Sequence, residues 1–276
     1  MIATSEDRPS ILLFLVLAFS WSWSMWWGAV AAGLSFDQPL FRLLYLLGVL
    51  GPLVGAALVV RGCSHRYRRE FMRRIWAPRR ISARWWLALV AVATGPAILG
   101  ATISAMTGAT AVVPDYSVEF VAMVVVFALV AGLAEEPGWR GAASDAWQAR
   151  ARPVWAAMGI GGFWALWHLP LYFVEGSFQH GVGFGSVRFW LVNLALVQLG
   201  VLYLWLANGS EGSILMAILA HAGFNMAGEL VPASMIRDVV AFLLITVTTL
   251  GVVTATSGEL RFGFSAKRAS SSVDVP

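Results

Sequence analysis

The chain is 276 residues long, 59% hydrophobic and only 12% charged. A soluble domain carries about 25% charged residues, so the composition excludes an ordinary water-soluble fold and points to a polytopic membrane protein. The net charge of +4 comes with no basic face on a soluble scaffold, which argues against nucleic acid as a partner. The single cysteine, Cys63, excludes an intrachain disulfide and a thiolate metal cluster.

A helix needs about 20 apolar residues to cross the hydrocarbon core. Eight segments qualify in chain order: 11–34, 40–60, 85–107, 119–137, 154–174, 188–207, 213–230 and 237–256. The expected fold is therefore all-α, with about eight transmembrane helices. The first segment runs 24 residues without a charge, longer than the roughly 7–15-residue core of a cleavable signal, and reads as a retained helix. Trp21, Trp23, Trp26 and Trp27 on this span, with Trp85 and Trp86 at the start of the third, have the look of interface anchors. Gly51-x-x-x-Gly55 is a weak match to a helix close-packing motif.

Basic residues orient the spans. The connection 61–84 holds nine arginines and is expected in the cytoplasm; counting outward from it places sixteen basic residues on that side and three, Arg42, Arg188 and Arg237, on the other. Both termini are then cytoplasmic, in a multi-pass protein of the cell membrane. Within the loop, Arg66, Arg68, Arg69, Arg73 and Arg74 interleave with Tyr67, Phe71 and Trp76. That pattern suits a helix lying on anionic lipid, although a plain topology determinant is the favoured reading. The chain is read as one integral membrane domain, 1–276, with core motifs in 119–230, the arginine-rich loop 61–84 and a mobile tail 257–276.

Few strongly polar groups remain inside the spans: Glu135, Glu136, His168, His221 and Asn225, with Arg140 just beyond. Fifteen uncharged residues, Phe120 to Ala134, lead directly into the two carboxylates. A charged group at such depth costs roughly 2.5–3.5 kcal/mol on insertion scales, so intramembrane ionisable residues default to a functional reading. Glu136 and Arg140 lie four apart and share a helix face, which leaves Glu135 turned about 100° away. Pro137 removes an amide donor and frees the carbonyl of Leu133, a break tolerated at depth only against protein or a wet cavity. His221 and Asn225 also share a face, and His168 sits among Trp164, Trp167 and Pro170.

A carboxylate beside a low-dielectric wall accepts protons near neutral pH, an imidazole can help orient a water, and a second imidazole with an amide can donate to an oxyanion. Together they suit addition of water to an amide carbonyl. Each residue also has a plainer reading: a buried histidine as an interhelical hydrogen-bond partner, and Glu136–Arg140 as a packing ion pair. A rival from another class is a proton-coupled transporter that uses the same groups as a relay.

These segments resemble the three signature motifs of the CAAX-protease and bacteriocin-processing (Abi-type) family of intramembrane proteases. Glu135-Glu136-x-x-x-Arg140 matches the first, Trp164-x-x-x-His168 the second, where the family usually has phenylalanine, and His221-x-x-x-Asn225 the third. The resemblance implies an intramembrane endopeptidase with a cavity open to the cytoplasmic side, acting on a membrane-embedded or lipid-proximal peptide among membrane lipids. It implies Glu135 as general base, His168 as its partner in activating water, His221 and Asn225 as the oxyanion site, and Glu136 with Arg140 as its support. Trp164 departs from the pattern but leaves His168 in place. An inactive family member that binds a membrane partner would keep the same motifs. The residues favour a metal-free reaction; were it metal-dependent, Glu135, His168 and His221 would be the ligands of a zinc ion.

One difficulty is visible in the span boundaries. At ~1.5 Å per residue, Glu135 and His221 fall about 6 and 12 Å inside the cytoplasmic boundary, but His168 falls roughly 20 Å inside. Catalysis requires them level, so the fourth helix is expected to continue past Pro137 toward Arg150, and the fifth to begin near Arg152.

Overall fold

The computed structural model describes residues 8–261 apart from 77, 79 and 80. It is all-α: among the described residues the only β pairing is an isolated bridge between Val112 and Ala233, which ties two loops together. The helices are α1 (Ile11–Ala31), α2 (Pro39–Val49), α3 (Gly51–Arg61), α4 (His65–Trp76), α5 (Ala83–Met106), α6 (Val118–Glu136), α7 (Ser144–Gln148), α8 (Pro153–Trp167), α9 (Phe178–Val182), α10 (Val187–Gly209), α11 (Ile214–Leu230) and α12 (Met235–Ala255). Among the described residues, six stretches are long and apolar enough to cross a membrane: Ile11–Ala31, Pro39–Arg61, Ala83–Met106, Val118–Gln148, Val187–Gly209 and Met235–Ala255. The two remaining expected spans correspond to shorter helices, α8 and α11. Most of the expected mobile tail, residues 262–276, and the basic residues Arg79, Arg80, Lys267 and Arg268 lie outside the described residues.

Local chemistry sets many of the boundaries. Serines at 10, 117, 186, 213 and 234 cap α1, α6, α10, α11 and α12, each accepting from a backbone amide three residues on. Pro153 opens α8 at the first turn, where its missing amide costs nothing. Pro170 has the opposite effect: the α-helix stops at Trp167 and continues as a 3-10 turn over Leu169–Phe173. The expected span 154–174 is thus a shorter α-helix with a tightened end.

Pro137 does not end the fourth span. The chain passes from α6 into a π-helical segment, Pro137–Ala143, and on into α7. The wider turn absorbs the amide that proline lacks, and Ser144 Oγ donates to the carbonyl of Trp139, five residues back. Such single-turn π insertions are frequent at functional sites. This one begins directly after Glu136.

Two expectations about the periphery change. Trp26 is fully buried, packed against Tyr45 and Trp167, and Trp85 is buried against Trp205. Neither is an interface anchor; both fill the gaps that small residues leave between helices. The glycine pair proves consequential: a Cβ on Gly51 would lie 2.0 Å from Ser22 Oγ and 2.7 Å from the carbonyl of Ala18. α3 therefore packs against α1 at a distance only glycine permits.

α4 has one face docked on the body. Phe71 and Ile75 are buried, Tyr67 Oη donates to Asp145 at 2.6 Å, and Arg74 bonds both Asp145 and the carbonyl of Gly212 at 2.6 Å. Burial opposes the Arg74 charge, but Asp145 beside it outweighs that and holds its pKa above the ordinary value. Burial, then the Asp145 charge, pushes the Tyr67 phenol well up. The other face presents Arg66, Arg68, Arg69 and Arg73 with Met72 and Trp76.

Candidate active site

Three helices converge on the motif residues. α6 lies against α11, and α8 against α10, which in turn touches α11. The α6–α11 contact is close because a Cβ on Gly132 would sit 2.6 Å from the carbonyl of Ile218. One turn beyond that contact in each chain direction stand Glu136 and His221.

The difficulty over depth disappears. Arg74 touches Asp145 and Gly212 together, so those two residues mark one level. Glu135 lies ten residues from Asp145 and His221 nine from Gly212, or about 15 and 13 Å along their helices. His168 lies fifteen residues from the start of α8 at Pro153, and Glu135 thirteen from the end of α7 at Gln148, each about 20 Å. Both adjustments expected from the arithmetic are present: the fourth helix extends to Gln148, and the fifth begins at Pro153.

Glu136 is fully buried, and a single oxygen, Oε1, receives Arg140 Nη1 at 3.0 Å and His221 Nδ1 at 2.8 Å. The expected Glu136–Arg140 pair is therefore real. The partner of His221 is Glu136, the residue that the resemblance sets, with Arg140, behind the His221–Asn225 site. Helical rotation explains it: Glu136 and Arg140 share the face of α6 and the π segment that meets α11.

Glu135 is 4% exposed and takes its hydrogen bond from Trp164, whose Nε1 donates to Oε2 at 2.6 Å. His168 is half-buried, with Nδ1 2.9 Å from the carbonyl of Trp164. A carbonyl can only accept, so Nδ1 carries the proton and Nε2 is left as an acceptor. Asn225 is half-buried one turn beyond His221, and its side chain makes no hydrogen bond among the described residues.

Aromatic rings join these groups. The Arg140 guanidinium lies 4.5 Å from the Trp164 ring and 5.0 Å from the Tyr203 ring. Trp164 meets His221 edge-on at 5.3 Å, and Tyr203 stacks with His221 at 6.2 Å. Tyr203, on α10, belongs to no motif, and no spacing in the sequence marks it. Glu136 Oε2, Arg140 Nε, Arg140 Nη2 and Tyr203 Oη are buried without a hydrogen-bond partner among the described residues. Such a concentration of unsatisfied polar atoms is expected of a site that a polar ligand completes.

Among the described residues no three His, Cys, Asp or Glu side chains gather with metal-ligand spacing. A separate cavity of about 810 Å³ opens beside Tyr67, Arg74, Asp145 and Arg152; none of Glu135, His168, His221 and Asn225 lines it.

Comparison with known proteins agrees with the motifs. Residues 117–227 match the family model described as "Type II CAAX prenyl endopeptidase Rce1-like". Over 241 residues, 83% of this chain and 87% of the relative, the sequence is 27% identical to CAAX prenyl protease 2 of Methanococcus maripaludis. Over residues 117–227, which hold all three motifs, the chain is thus similar to the Rce1-like CAAX prenyl endopeptidases.

Proposed function

We propose that this protein is an intramembrane endopeptidase that cleaves near a lipid-modified C-terminus, with Glu135 as the base. The observation that carries the reading is the convergence of Glu135, Trp164 and His168 on one side, and Glu136, Arg140 and His221 on the other, in one buried cluster. The names of the matched family and relative supply the substrate class, a peptide carrying a prenylated cysteine.

In this mechanism Glu135, held through Oε2, takes a proton from a water molecule with its other oxygen, while Nε2 of His168 accepts a hydrogen bond from the same water. The water oxygen adds to the scissile carbonyl, and the π electrons move to the carbonyl oxygen. His221 and Asn225 receive that oxyanion. Because Nδ1 of His221 is turned to Glu136, donation must come from Nε2, which requires the doubly protonated ring. Two carboxylates set against one guanidinium leave a negative charge for that ring to balance. When the tetrahedral intermediate collapses, the C–N bond breaks and Glu135 returns its proton to the departing amine.

The proposed mechanism uses no metal, a reading supported by the absence of any group of three candidate ligands among the described residues. The same reading places the arginine-rich loop and both termini in the cytoplasm, opens the site to that side and treats 1–276 as a single membrane domain. Purified protein should cleave a farnesylated C-terminal peptide in lipid vesicles and leave the unprenylated peptide largely intact. Glu135→Ala and His168→Ala should each reduce cleavage by about a hundredfold or more, the usual scale of lost acid–base catalysis. Cleavage surviving both substitutions would sink the assignment.

A further inference from the structure

Trp164 stands where the resembled family usually has phenylalanine, and its indole does something a phenyl ring cannot. Its Nε1–H donates to Glu135 Oε2 at 2.6 Å, a short bond between buried groups. Its backbone carbonyl accepts from His168 Nδ1 at 2.9 Å, which fixes that ring's tautomer. Its ring face carries the Arg140 guanidinium at 4.5 Å, and its edge meets His221 at 5.3 Å. One residue thus touches Glu135, His168, Arg140 and His221, four of the groups on which the proposed reaction depends.

We infer that Trp164 is a positioning residue whose indole N–H holds the Glu135 carboxylate in its working orientation, a function added to the packing role of the aromatic ring. A buried glutamate with no donor on either oxygen would swing among rotamers. A donor locked by its own packing removes that freedom, and hydrogen bonds to charged groups are the stronger ones. Trp164 is 3% exposed and contacts Tyr203, His168 and His221 as well, so its ring has no room to follow a moving carboxylate. The bond to Oε2 also settles which oxygen remains for water.

This role rests on Glu135 being the base, and the test separates the two. Trp164→Phe keeps an aromatic ring over Arg140 and beside His221 but removes the donor. The expected result is a kcat lower by about tenfold or more, with KM within about twofold, the scale of one hydrogen bond to a charged group. In parallel, the indole N–H resonance of Trp164 in ¹⁵N-tryptophan-labelled protein in micelles, assigned by its loss in Trp164→Phe, should lie downfield and move upfield in Glu135→Ala. An unchanged kcat in Trp164→Phe, while Glu135→Ala is inactive, overturns the positioning role and leaves the base in place. A raised KM at constant kcat makes the indole a substrate contact and overturns it too. Should Trp164→Phe fail to fold, the resonance is assigned from its nuclear Overhauser contacts with the His221 and Tyr203 rings and decides alone: no response to Glu135→Ala refutes the contact. Cleavage that survives Glu135→Ala refutes the base instead.

Discussion

Nδ1 of His221 lies 2.8 Å from Oε1 of Glu136, the same oxygen that receives Arg140 at 3.0 Å. Adjacent glutamates thus have different work: Glu136 is the fully buried hub of an ion-pair network, and Glu135 is held by a neutral donor. Substitution should separate them. Glu136→Gln strands Arg140, itself 1% exposed, and should cost about 3–5 kcal/mol of stability. Glu135→Gln keeps an oxygen to accept the indole and should cost under about 1 kcal/mol while abolishing cleavage. Thermal unfolding in detergent beside a peptide-cleavage assay checks both, and equal destabilisation by the two would contradict the division.

The α6–α11 contact should be intolerant of bulk. Gly132→Val places side-chain atoms where the carbonyl of Ile218 already stands and should cost about 1–3 kcal/mol through overpacking. It should also weaken cleavage by separating Glu136 from His221. Gly251→Val is the control, since an added Cβ there meets nothing within 4 Å. Matched losses in the two variants would show that the close approach is not what sets the site.

Asp145 ties α4 to the body through Tyr67 and Arg74. Asp145→Ala should cost about 1 kcal/mol, because two half-buried donors lose their acceptor. Trypsin, which cuts after arginine, should then enter the segment His65–Trp76 faster than in wild type. The pKa of Tyr67 is raised, so the stability its protonated form adds is fully present below the unfolded value of about 10 and is lost only as pH rises through the folded one. The tryptic rate ratio of variant to wild type should therefore hold steady from about pH 7 to 9. A ratio that collapses within that range would place the latch elsewhere.

Chelation tests the choice of chemistry. In the metal-free mechanism proposed for this site, cleavage should be unchanged by a strong zinc chelator such as 1,10-phenanthroline. Activity lost to the chelator and restored by added zinc would replace the glutamate mechanism with a metal-dependent one.

Composition and one-dimensional spacing determined a good deal of this protein. Long uncharged runs imply helices because lipid offers no partner for an exposed backbone, and serine caps and prolines mark their ends through local hydrogen bonding. The four-residue spacing of Glu136 with Arg140 told of their ion pair, because that relation is contained in one helix. The demand that catalytic groups be level even indicated that the fourth helix must run past Pro137.

What crosses between helices was decided only by the tertiary structure. That His221 meets Glu136 and not Glu135, that Trp164 supplies the donor to Glu135, and that Tyr203 closes the cluster all depend on the rotation of each helix about its own axis. Nearly featureless apolar sequences do not encode that rotation as a stripe. It is set by where glycines such as Gly132 let backbones approach and where tryptophans such as Trp26 fill the remaining gaps, and those contacts exist only once the helices have packed.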